Sequence, residues 1–157
     1  MSFDLSSLAQ AVDSHGQVAR ILIADHKGSS PREAGTSMLV WDTGFSGTIG
    51  GGALEYQAVE FARKQLHNKI LTTLQRIPLG PNLGQCCGGS VTLVTECFSQ
   101  SNLPEETTHF ARPVKPKTTE PLWVKRGLAN ARSGTETFFD THLQDGWLVE
   151  SIAQPHQ

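Results

Sequence analysis

The chain has 157 residues, enough for one ordinary domain with its own core, and its net charge of −2 with 18% charged residues excludes a non-specific nucleic-acid binder, which needs clustered Lys and Arg. No apolar run approaches the roughly 18 residues of a membrane helix, and residues 1–10, MSFDLSSLAQ, carry neither the basic start nor the apolar stretch of a secretory leader. Three cysteines, an odd number, argue against a disulfide framework, so a cytoplasmic protein with reduced thiols and no membrane partner is expected.

In chain order, residues 5–14 place Leu5, Leu8, Ala11 and Val12 on one stripe and predict a short helix. Residues 17–25, QVARILIAD, form a compact, branched apolar run that reads as a buried strand. After the loop HKGSSPREAG, residues 36–49 read as two strands around a turn near Asp42-Thr43-Gly44. Leu54, Ala58, Phe61, Ala62 and Leu66 then recur at helical spacing, with Arg63, Lys64 and Asn68 suited to a helix C-terminus. Residues 69–79 and 90–98 read as strands, the second placing Val91, Leu93 and Cys97 on one face, where Cys97 packs as a small hydrophobe. Residues 101–121 hold four prolines and read as a mobile linker or long surface loop. Beyond them, short apolar patches separated by turn signals at Ser133-Gly134 and Asp145-Gly146 predict two or three small strands. The fold class is therefore α+β: a mixed sheet with one main packed helix, a short N-terminal helix and a small C-terminal strand extension.

Three glycine-bounded stretches carry unusual chemistry. GSSPR, residues 28–32, offers the hydroxyls of Ser29 and Ser30 and the planar fork of Arg32, suited to phosphate or carboxylate, on what is otherwise a surface turn. GTIGGGALE, residues 47–55, opens a helix with Gly50, Gly51 and Gly52, whose unobstructed N–H groups suit an anion, while Glu55 complements the helix dipole. Neither the dinucleotide fingerprint nor the Walker spacing is present, and a tight strand-to-helix turn explains these glycines equally well. LGQCCGG, residues 83–89, sets Cys86 and Cys87 side by side between Gln85 and Gly88-Gly89, with little bulk to bury them. A disulfide between neighbours is strained, because adjacent Cα atoms lie about 3.8 Å apart and ordinary disulfides span roughly 4.4 Å or more. Zinc fits poorly without a C-x-x-C pair or ligand-spaced histidines. What remains is an incidental pair with one thiol packed inward, or thiols that face a ligand, react, or bind a soft metal.

In their order and spacing, GSSPREAGTSMLV, GTIGGGALE and LGQCCGGSVTLV resemble the N-terminal domain of the xanthine dehydrogenase accessory protein family (XdhC/CoxI), most strongly over residues 16–97. The resemblance implies a maturation factor and cofactor carrier, not a turnover catalyst. Such a factor binds molybdenum cofactor (molybdopterin), promotes its sulfuration with a cysteine desulfurase, and assists insertion into an apo molybdenum hydroxylase of the xanthine or carbon monoxide dehydrogenase type. A homodimer is compatible with it. The implied cofactor-binding residues are Ser29, Ser30, Arg32, Gly50, Gly51, Gly52, Glu55, Gln85, Cys86, Cys87, Gly88 and Gly89, with Cys86 or Cys87 contacting molybdenum through the cofactor. Residues 1–100 then form the cofactor-binding domain, 101–121 the Pro-rich linker, and 122–157 a strand extension that leads, in the family, to a Rossmann-like domain absent here. The competing reading is a thiol-dependent sulfurtransferase or oxidoreductase using Cys86 or Cys87.

Overall fold

A computed structural model describes residues 3–28, 33–79, 89–105, 108–116, 118–133 and 141–152, with the backbone alone for 131–133. The first half runs α1 (Leu5–His15), β1 (Val18–Lys27), β2 (Ser37–Trp41), β3 (Gly44–Gly47), α2 (Gly52–His67), β4 (Thr72–Pro78) and β5 (Ser90–Phe98). It is followed by β6 (His109–Pro113), α3 (Leu122–Ser133), β7 (Thr141–Gln144) and β8 (Trp147–Ser151). Five strands form one antiparallel sheet in the order β3-β2-β1-β5-β4, and three form a second in the order β6-β8-β7. This is the expected α+β class, with the helices and main strands close to where periodicity puts them.

The central strand explains the layering. β1 is buried over its first seven residues because both faces of the sheet are covered. Directly opposed residues in a ladder share a face, so the register sorts the side chains. Ala19, Ile21 and Ile23 pair with Cys97, Thr95 and Leu93 and pack with Leu54, Ala58, Val59 and Ala62 of α2. This is the apolar stripe the helical spacing predicts, although Gln65 also lies in it, buried. Its amide is satisfied: Nε2 donates to the Thr95 carbonyl at 2.8 Å and Oε1 accepts from the Thr73 hydroxyl at 2.8 Å. On the opposite face Leu22, Ala24 and Val94 pack against Val114 and Leu148 from the second sheet's side. A register shift between Ile23 and Asp25 marks a β-bulge in β1, which adds a residue and re-aims the strand end. α1 covers Val18 and Phe98 on that same face with Leu8 and Val12. It is capped by Asp4, whose Oδ1 accepts from the Ser7 N–H at 3.0 Å.

The second half departs from the sequence expectation. Within the segment read as a mobile linker, His109–Pro113 is β6, paired to β8. Where only strands were expected after residue 121, Leu122–Ser133 is helix α3. The reason for β6 is electrostatic and long-range. Arg20 of β1 donates twice to Glu150 of β8, at 2.7 Å and 2.7 Å. Arg112 of β6 donates to Glu96 of β5 at 2.9 and 2.5 Å and to Glu150 at 2.6 Å. All four side chains are buried between the sheets, and Glu150 is fully so. The Phe3 ring lies 3.9 Å from the Arg20 guanidinium carbon and the Phe110 ring 4.1 Å from that of Arg112, adding cation–π contacts.

Two arginines and two glutamates balance in charge, so the network is stable only when complete. Burial alone would raise the Glu150 pKa, but the Arg20 and Arg112 charges and hydrogen bonds overcome it and hold the carboxyl below its ordinary 4.5. The unfolded chain therefore binds the extra proton first on acidification. The stabilisation is present above about pH 4.5 and falls away as pH drops through the lower folded value. Glu150→Gln leaves two buried guanidinium groups sharing one carboxylate, and is expected to cost about 3–5 kcal/mol at pH 7 in denaturant unfolding. It also flattens the acid limb of the stability profile. An unchanged midpoint and acid limb would contradict this account.

Candidate functional site at the loop end of the main sheet

The register relates the described residues of the three glycine-bounded loops to one another, which the sequence leaves open. Lys27, at the end of β1, pairs with Ser90 at the start of β5, and Ser90 pairs with Pro78 at the end of β4. Leu22 of β1 pairs with Ser37 at the start of β2, and Met38 pairs with Gly47 at the end of β3. Alternation of direction thus brings Gly28, residues 33–36, residues 48–51, Leu79 and Gly89 to the same end of one sheet. Ser29, Ser30, Arg32, Gln85, Cys86, Cys87 and Gly88 lie outside the described residues. Gly50, Gly51, Gly52, Glu55 and Gly89 lie within them.

At the second loop, Gly50, Gly51 and Gly52 have φ of 124°, 77° and 69°, a run of left-handed backbone that side chains other than glycine resist. No described atom lies within 4 Å of where a Cβ would stand on Gly51 or Gly52, so conformation and not crowding selects glycine there. The N–H groups of this loop do bind an anion, and it is the chain's own. Glu55 Oε1 accepts from the Ile49 N–H at 2.9 Å, from the Gly51 N–H at 3.1 Å, and from the Thr48 hydroxyl. The Thr48 hydroxyl in turn accepts from the Gly50 N–H at 3.0 Å. Glu55 therefore does more than complement a dipole: it folds the loop around its carboxylate.

The first and third loops touch. Gly28 has φ of 71°, and a Cβ on it would stand 3.0 Å from the Gly89 Cα, so the backbone approach at that point requires glycine. Beside the contact opens a cleft of about 550 Å³ lined by Lys27, Gly28, Arg76, Pro78, Gly89 and Ser90. Sequence reasoning names Gly89 of this group as a binding residue and Arg76 only as the nearest cation to the cysteine pair, and it names neither Lys27 nor Ser90. Lone cations 49 residues apart in sequence give no local signal, and only the β1–β5–β4 ladder brings them together. The main-sheet face that carries them turns from charge network to apolar to polar along its length: Arg20 and Glu96, then Leu22, Val94 and Leu74, then Asp25, Thr92 and Arg76, then Lys27, Ser90 and Pro78.

Of the thiols, Cys97 is half-buried against the α2-side core. Burial chiefly, with the Glu96 charge, pushes its pKa up to about 11 against a lowering hydrogen bond from Gln65. It is a packing residue at neutral pH, because the thiolate is the reactive form. Among the described residues no group of three or more His, Cys, Asp or Glu is arranged to hold a metal ion, and no helix is long and apolar enough to cross a membrane.

The Glu55 arrangement predicts a local effect. Glu55→Ala removes the acceptor of two loop N–H groups and is expected to cost about 1–2 kcal/mol. Amide exchange should quicken at Ile49 and Gly51 more than in β1. Exchange that is unchanged at both amides would show that the carboxylate does not hold the loop.

A comparison with curated proteins gives no match. A comparison with family models gives one, the XdhC and CoxI family, over residues 11–76, less than half of the chain. The matched region contains the first two glycine-bounded loops and the Glu55 seat, and the cysteine pair lies beyond it. Over residues 11–76 this chain matches the XdhC and CoxI family, the one its motifs resemble, and that family is tied to the maturation of xanthine and carbon monoxide dehydrogenase-type enzymes.

Proposed function

We propose that this protein seats molybdenum cofactor at the loop end of the five-stranded sheet, and assists its sulfuration and insertion into an apo molybdenum hydroxylase of the xanthine or carbon monoxide dehydrogenase type. The observation that carries this reading is the strand register, which brings Gly28, residues 48–51 and Gly89, the described parts of the three motifs, to one end of one sheet. The close backbone approach of Gly28 and Gly89 supports it further, since it brings the described ends of the first and third segments together without side-chain bulk. The bound cofactor would supply a metal held by a dithiolene. The chain's part is to bind and orient: Ser29, Ser30, Arg32 and Gln85 bring hydrogen-bonding groups suited to a polar pterin, and Cys86 or Cys87 brings a thiol toward the metal, with a cysteine desulfurase as the sulfur source. Glu55 organises the second loop, so Gly50–Gly52 shape the wall of the seat.

The test is pterin content. Protein purified from cells supplied with the cofactor should yield stoichiometric pterin fluorescence after oxidation. If the segment runs extended, its neighbouring side chains point to opposite sides, and Cys86→Ser and Cys87→Ser should then differ from each other. One variant should lose cofactor or its sulfuration, and the other should lose mainly stability. Pterin no higher than in an unrelated control protein would overturn the reading.

A further inference from the structure

Two places at the loop end have the chemistry to hold an anion. At the first, the N–H groups of Ile49 and Gly51 already meet the Glu55 carboxylate. The second is the cleft between β1 and β4. Lys27 and Arg76 stand on the two strands that flank β5, on the same face, with Ser90 of β5 in the row of Lys27. Neighbouring strands lie about 4.8 Å apart, so the two cations are anchored on strands roughly 10 Å from each other, with Arg76 one row deeper. Both line the cleft, as does Ser90, and among the described residues no carboxylate does. Among the described residues neither cation forms an ion pair. The nearest acid by register, Asp25, shares the row of Arg76 and accepts the His26 N–H at 2.9 Å.

Two like charges held toward one cleft repel, and a ligand carrying two negative charges removes that repulsion. A neutral pterin ring would not need them. A phosphomonoester dianion would: it matches the charge, offers oxygens to the planar guanidinium and the ammonium, and accepts from a hydroxyl between them. The Gly28–Gly89 contact leaves backbone, without side-chain bulk, beside the same cleft.

We propose that Lys27, Ser90 and Arg76 form a phosphomonoester subsite, taking the terminal phosphate of the bound cofactor. Only the identity of the group that bears the phosphate rests on the functional reading above. The subsite itself is tested with inorganic phosphate on the full chain, followed by phosphorus NMR line broadening. Phosphate should bind the wild type. Lys27→Gln and Arg76→Gln should each weaken it roughly tenfold, the effect of one charge-assisted contact, and Arg76→Lys should keep part of the affinity. Both positions are exposed, so thermal midpoints should stay within a few degrees of wild type. Absence of broadening in the wild type, or wild-type affinity in both Gln variants, overturns the subsite. Pterin retention is measured on the same proteins. If phosphate binding follows the prediction but wild type carries no pterin, the cofactor reading fails and the subsite stands. If the Gln variants lose phosphate but retain pterin as wild type does, the phosphate of the cofactor is not the group bound there.

Discussion

The buried quartet of Arg20, Glu96, Arg112 and Glu150 is the constraint on which the rest of this structure depends. Burying four charges is costly, and the cost is offset only when every donor finds its acceptor. That requirement fixes where the second sheet sits. Glu150 of β8 must lie over Arg20, and Arg112 of β6 must reach Glu96 while still touching Glu150. Fixing one end of the shared face in this way brings Leu148 and Val114 over Leu22 and Val94. It leaves Lys27 and Arg76 exposed at the other end. One face of one sheet is thus glued to its neighbour at one end and available to a ligand at the other.

The loop end divides its tasks among its own residues. Glu55 spends its carboxylate on the loop that precedes its helix, so the left-handed glycines are held in place from within. Gly28 and Gly89 bring the first and third segments into backbone contact. The cations come from β1 and β4, elements set by the ladder, and Gln65 ties α2 to the backbone of β5 and to Thr73 of β4. A ligand at this end therefore meets a frame built on strands, and geometry set by strands varies less than geometry set by loops alone.

The main sheet and α2 were legible because their signals are local. The run in β1 is apolar on both sides, as a strand covered on both faces must be, and α2 repeats its buried positions at helical spacing. β6 was not legible, since Arg112 and Pro113 read as solvated loop residues until their partners are known. Those partners lie 16 and 38 residues away in sequence. α3 was missed because Gly127 interrupts an apolar pattern that then reads as short patches. At the site, the glycine motifs showed where the backbone is unusual, but not that Glu55 satisfies one of them. Lys27 and Arg76 carried no motif at all; pairing across β5 gives them their meaning.

The central claim is that the cofactor sits at the loop end of the main sheet and nowhere else on the described fold. Amide hydrogen exchange with and without bound molybdenum cofactor tests it most directly. The account predicts slower exchange at residues 27–32, 48–52, 76 and 85–90, with unchanged exchange in α1, α3 and β8. Protection centred on α3 or on the α1 end of the sheet, or no protection at the loop end in protein shown to carry pterin, would contradict it.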